Sequence, residues 1–260
     1  MAITATETLS EMMSIQRKLL SHYIQLESLP QYPVELNEKN NQKLIKSFVA
    51  RYVEELAEAY EQLLSALGFI SQNREREARE RIILYNEEMA DANHFLLEIL
   101  LYCNMDEYLI DEHLEEFFTS RGMENLYTPL QTIKNLLLAG NFINRNIAKS
   151  PGFNIYKAQE RMEDPTIAGG SVINLELIEH HSSQLWNISY SLMIMVNELK
   201  NRPHRQTDTS VNMGNFFNKL ILALVEIGRY WDFAGFTEQG LWQSYKRKSD
   251  TNFIRITNGY

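Results

Sequence analysis

The sequence predicts an all-α protein, folded as a single compact helical assembly. Apolar residues recur at three- and four-residue spacing along most of the chain, the period of helices with one buried face. No stretch alternates apolar and polar residues as a strand would. Only 6 prolines and 11 glycines interrupt 260 residues, while 44% of the residues are hydrophobic, enough for a substantial core. The whole chain, 1–260, is therefore read as one domain.

A first helix starts after Thr8 or Ser10 and carries Met12, Ile15, Leu19 and Tyr23 on one face. Leu29-Pro30-Gln31-Tyr32-Pro33 ends it. A second runs from about Asn40 to Leu67, with a stripe from Leu44 and Phe48 to Leu63 and Gly68 as its expected stop. Asn73 to Arg81 forms a charged bridge with Arg74, Arg76, Arg79 and Arg81. The third helix, about Arg79 to Asn104, is acidic at its start and apolar at its end. Further helices are expected over Asp106 to Thr119, Leu126 to Ala148, Leu175 to Asn201, Val211 to Ala234 and Thr237 to Lys248. Residues 149–172, with Pro151-Gly152, Asp164-Pro165 and Gly169-Gly170, read as a long loop, and the polar stretch from Ser249 to Tyr260 as an irregular tail.

A net charge of -9 argues against a general nucleic-acid binder, which carries a basic face. It leaves room for a small phosphorylated ligand, because a bound metal reverses the local field. Cys103 is the one cysteine and can form no internal disulfide, which fits an intracellular setting, and its apolar surroundings make it a small buried hydrophobe. The N-terminal residues lack the charged and apolar regions of a signal peptide. No apolar run reaches the roughly 18 residues of a membrane span. A cytoplasmic protein, with no membrane partner, is expected.

Two acidic words carry the chemistry. Glu55-Leu-Ala-Glu58 and Glu88-Met-Ala-Asp91 each set two carboxylates three residues apart on one helix face. Two antiparallel helices would aim all four at one point, where like charges repel unless a cation intervenes. Hard cations such as Mg2+ take carboxylate oxygens and commonly meet phosphates as well. The bland alternative is a solvated acidic face. Against it, Leu56, Ala57 and Ala59 flank the first word, and the apolar run Phe95 to Tyr102 follows the second, where an unpaired carboxylate is costly. His94 shares the face of Asp91 and reads either as an orienting neighbour or as a satisfied core histidine. The rings of His180 and His181 diverge by about 100° on a helix, which favours surface exposure.

Taken together, these words resemble the signature of the all-α nucleoside triphosphate pyrophosphohydrolases, the MazG-type enzymes and the dimeric dUTPases. Three further stretches resemble the dimeric dUTPase/dCTPase branch, which includes phage enzymes. They are Glu88-Met-Ala-Asp91-Ala-Asn-His94-Phe95, Met13-Ser14-Ile15-Gln16-Arg17-Lys18-Leu19, and Lys248-Ser-Asp-Thr-Asn252-Phe-Ile-Arg255-Ile-Thr-Asn258-Gly259-Tyr260. The stretch from about 107 to 235 is similar in helical character alone.

The resemblance implies that Glu55, Glu58, Glu88 and Asp91 bind Mg2+ and serve catalysis. It implies that Gln16 contacts the base, with His94 beside it, and that Lys248, Asn252 and Arg255 hold the phosphates, with Tyr260 completing the substrate site. The expected reaction is Mg2+-dependent hydrolysis of a deoxypyrimidine triphosphate, dUTP first and dCTP second, to monophosphate and pyrophosphate. A homodimer is implied too.

The chain departs from the branch at Arg74, Arg76, Arg79 and Arg81, where tryptophan and lysine are usual, at Asn93, and at Leu20. These departures bear on base specificity more than on the reaction. A broad MazG-type pyrophosphohydrolase and a non-catalytic helical binding protein remain alternatives. A faint internal echo joins Asn104-Met105-Asp106-Glu107 to Gly235-Phe236-Thr237-Glu238. With it, Lys219 and Leu222 stand where the first half has Glu88 and Asp91.

Overall fold

The computed structural model describes residues 8–148, 175–200 and 210–259. These residues form eight α-helices and no strand: α1 (Thr8–Glu27), α2 (Lys39–Ser71), α3 (Glu75–Tyr102), α4 (Glu107–Thr119), α5 (Thr132–Ala148), α6 (Leu175–Val196), α7 (Met213–Phe233) and α8 (Glu238–Thr257), with a short 3-10 turn at Glu124–Leu126. The all-α expectation holds. The expected loop 149–172 lies outside the described residues.

The longest contact in the fold is the antiparallel hairpin of α2 and α3. α2 buries Ile45, Val49, Tyr52, Leu56, Ala59, Leu63 and Ala66, an unbroken seam at helical spacing. That seam carries the helix through Gly68, which does not stop it. One interior glycine costs about 1 kcal/mol, which packing of this length outweighs. The turn comes at Asn73, whose φ of 56° is left-handed. α3 then runs back and is buried on nearly every side from Ala92 to Tyr102, because α1, α2 and α8 all pack on it.

Two further expectations are corrected. α6 ends at Val196 rather than Asn201. Residues 249 to 257, expected to be irregular, continue α8 to Thr257. The seam of α8 runs through Leu241, Trp242, Tyr245 and Ser249, and beyond it the Phe253 ring meets His22 of α1 edge-on. Few apolar residues mark that last stretch, so the period was hidden.

The internal echo is a repeated structure. After α3, Asn104 takes φ 58°, Met105 N–H donates to Leu100 O at 2.8 Å, and Asp106 caps α4 by accepting from Leu109 N. After α7, Gly235 takes φ 75°, Phe236 N–H donates to Trp231 O at 2.9 Å, and Thr237 caps α8 by accepting from Gly240 N. Every residue keeps the same offset between copies. The same turn and cap thus link α3 to α4 and α7 to α8. In the second copy Lys219 pairs with Glu198 at the place where the first copy carries Glu88.

Backbone contact fixes the second copy. A Cβ on Gly140 of α5 would lie 2.4 Å from Arg229 Cα, and one on Gly228 of α7 would lie 2.5 Å from Leu136 O. Arg229 Nε donates to Asn144 Oδ1 at 2.9 Å, and Asn144 Nδ2 donates to Arg229 O at 3.2 Å. His181 is buried here, not exposed as expected: its ring packs on Phe233 and its Nδ1 lies 3.1 Å from Tyr230 Oη. Gly140→Ala would force the α5–α7 backbones apart, at a cost of about 3 kcal/mol, the upper range of overpacking. Urea unfolding of the variant beside the native protein measures it.

Candidate metal centre

The α2–α3 hairpin brings Glu55, Glu88 and Asp91 together. One carboxylate oxygen from each lies within 4.8 Å of the others. All three side chains are half-buried, because Leu56 and Ala59 on α2 and Met89, Ala90 and Ala92 on α3 turn the flanking faces into the core. Glu58 is exposed and stands outside this triad. Its charge is still felt by Glu55 and Glu88.

Burial and mutual repulsion act in the same direction. The Glu55 carboxyl is pushed up to about 7, first by burial and then by Asp91, Glu58 and Glu88. Glu88 and Asp91 are also raised, first by burial, although the Lys248 ammonium pulls both back down. The triad thus holds its full negative charge poorly without a cation. Its donors are all carboxylate oxygens, the set that fits a hard ion such as Mg2+, Ca2+ or Mn2+ rather than a thiolate- or imidazole-seeking one.

α8 brings cations to the same place. Lys248 Nζ lies 2.5 Å from Asp91 Oδ2. Asn252 and Arg255 follow at four and seven residues, so they share its helix face, and the Arg255 charge reaches Asp91. Asn252 is half-buried and Arg255 exposed. Tyr260 lies outside the described residues. Of the candidate residues, three acids and the Lys248 stripe are therefore brought together.

Gln16 and His94 sit one layer deeper, in a closed hydrogen-bond node. Gln16 is 1% exposed. Its Oε1 accepts from Tyr245 Oη at 2.8 Å and lies 2.7 Å from His94 Nδ1, which must carry the hydrogen since the oxygen can only accept. Its Nε2 donates to Glu98 Oε1 at 3.1 Å. The His94 ring lies 4.4 Å from that of Tyr245, and burial pushes its pKa down to about 3. Ser249 Oγ donates to Tyr245 O and lies 3.4 Å from His94 Nε2. The node joins α1, α3 and α8 and so fixes Lys248, next to Ser249, over Asp91.

Glu98 and Tyr245 were missed in the sequence. Glu98 had a signal: it is a lone acid in the run Phe95 to Tyr102, four residues from His94 and seven from Asp91 on one face. Burial pushes it up to about 8. Tyr245 had none beyond its place in an apolar seam. The arginines lie at the hairpin tip: Arg74 stacks on Phe69 and pairs with Glu77, Arg76 pairs with Glu80, and Arg81 donates to Gln62.

Compared with protein-family models, curated proteins and solved structures, the chain matches none. No helix among the described residues is long and apolar enough to cross a membrane.

The buried groups set a pH dependence for the metal-free protein. Glu98 and Glu55 titrate at about 8 and about 7 against 4.5 in an open chain. Their contribution is complete below 4.5 and is lost as pH rises through those values. His94, His180 and His181 are pushed down from 6.5 to about 3, 4 and 4, so theirs is complete above 6.5 and lost on acidification. Above pH 6.5 the two glutamates act unopposed by these histidines. Urea midpoints in chelator should fall from pH 6.5 to 8, and Glu98→Gln should flatten the limb between 7 and 8.

Proposed function

We propose that this protein is a Mg2+-dependent nucleoside triphosphate pyrophosphohydrolase of the dimeric dUTPase/dCTPase type. Its substrate is a deoxypyrimidine triphosphate, dUTP first and dCTP second, and its products are the monophosphate and pyrophosphate. The observation that carries this reading is the cationic stripe of α8 set against the carboxylate triad of α2 and α3. An acidic triad alone fits any hard cation. Lysine, asparagine and arginine on the facing helix add donors suited to phosphate oxygens, Lys248 as a point charge and Arg255 as a fork.

Glu55, Glu88 and Asp91 would hold the ion. A Mg2+ ion held there would polarise a phosphoryl group and lower the pKa of a water. Glu58, exposed and three residues from Glu55 on α2, would take the proton of that water. The water oxygen bonds to the α-phosphorus, the bond from that phosphorus to the bridging oxygen breaks, and pyrophosphate leaves. Lys248, Asn252 and Arg255 would grip the leaving phosphates and offset the charge that develops on them.

A second reading, a broad MazG-type enzyme, is favoured by the closed state of Gln16. Both ends of its amide have partners inside the protein and the residue is 1% exposed, so it presents no edge at the surface to read a base.

Glu55→Gln and Asp91→Asn should each lower Mg2+-dependent pyrophosphate release about a hundredfold or more. Helical content should stay unchanged, and the Glu55→Gln melting temperature in chelator at pH 8 should rise, because a repelling carboxylate is gone. Coupled pyrophosphate assays and circular dichroism measure these effects.

The homodimer in this reading has a surface to match. Residues 180–197 contain no Asp, Glu, Lys or Arg, and the outer face of α6 exposes Trp186 at 71%, Tyr190 at 59% and Met193 at 59%. Aromatic residues and methionine without charge typify the centre of an interface, and two copies of charge -9 meet with least repulsion there. Trp186→Glu should weaken self-association tenfold or more in sedimentation equilibrium, about the least that loss of a central tryptophan costs.

A further inference from the structure

We propose that Lys248 is an internal counter-cation, which holds Asp91 until a divalent ion takes that carboxylate and is then released toward phosphate. The inference rests on the metal-site reading above, and it adds a consequence: metal binding and phosphate binding reinforce each other through one side chain.

The Lys248–Asp91 pair is not an ordinary surface ion pair. Its two side chains are 18% and 19% exposed, and its acid has carboxylate oxygens of Glu55 and Glu88 within 4.8 Å. By contrast, Lys246, two residues away, pairs with Asp250 at 3.1 Å with both side chains largely exposed. Lys248 therefore neutralises part of a charge cluster that water reaches poorly. A divalent ion among the same oxygens would sit beside the ammonium and repel it.

The geometry lets the side chain move while the helix stays. Tyr245 is fully buried, its hydroxyl donates to Gln16 Oε1 at 2.8 Å and lies 3.1 Å from Met12 O, and Ser249 is 1% exposed. These neighbours clamp the backbone of α8 on either side of Lys248. Only the flexible four-carbon stem has to swing. Asn252 and Arg255 already line the face toward which it would turn. A phosphate anion there recovers the ion pair that the ammonium gives up at Asp91.

Linkage then requires reciprocity. If the metal frees Lys248 for phosphate, phosphate must tighten metal binding by the same factor. Removing Lys248 should have opposite effects on the two ligands taken singly: the metal gains a site without a competitor, and the anion loses a donor.

The test is titration calorimetry of the full chain, with Mg2+ alone and with inorganic pyrophosphate in the presence and absence of Mg2+. Three proteins are compared: native, Lys248→Met, and Lys246→Met, which removes a nearby charge that does not touch the triad. Lys248→Met should bind Mg2+ alone roughly tenfold more tightly than the other two, and the Mg2+-induced gain in pyrophosphate affinity should shrink by a similar factor. Equal Mg2+ affinity in the two variants, or an unchanged gain for pyrophosphate, would overturn the proposal and leave the metal site standing. No Mg2+ binding by any of the three would overturn the metal-site reading and this inference with it.

Discussion

A carboxylate taken from water beside two others must find a cation or keep a proton. That constraint governs the first half of this structure. Glu55, Glu88 and Asp91 are forced together because the apolar seams of α2 and α3 leave their helix faces no other direction. The fold answers with Lys248, delivered from the far end of the chain, and with carboxyl groups raised toward neutrality. Folding and site chemistry are linked by this one arrangement. Packing creates the repulsion, and a positive ion among the three carboxylates would relieve it.

The buried node of Gln16, His94, Glu98 and Tyr245 is the mechanical support of that arrangement. It ties the first, third and last helices together at one point in the core. Its polar atoms satisfy one another, so it fixes a geometry that apolar packing would leave free to slide. The turn that follows α3 recurs after α7, and at the same offset Lys219 stands where α3 carries Glu88. There Lys219 pairs directly with Glu198.

Much of this was legible in the sequence because helical periods and i, i+3 carboxylates are local patterns. Glu55, Glu88 and Asp91 could be named from that spacing, whereas Lys248 was singled out by the resemblance of its stretch alone. The separation of Glu58 from the triad was not legible, since spacing gives the face of a helix but not the depth of each side chain. α8 was cut short because Asn252, Phe253 and Ile256 bury only part of their surfaces, so its last turns look polar. His181 was misplaced for the opposite reason. It is a polar residue whose burial depends on Tyr230, Phe233 and α7, partners far along the chain.

The most direct measurement is a panel of ribo- and deoxynucleoside triphosphates incubated with the native protein and Mg2+, with pyrophosphate and orthophosphate scored separately. Pyrophosphate and the monophosphate are expected from dUTP or dCTP, with none in chelator. Release of orthophosphate in place of pyrophosphate, or no turnover of any triphosphate, would contradict the proposed reaction.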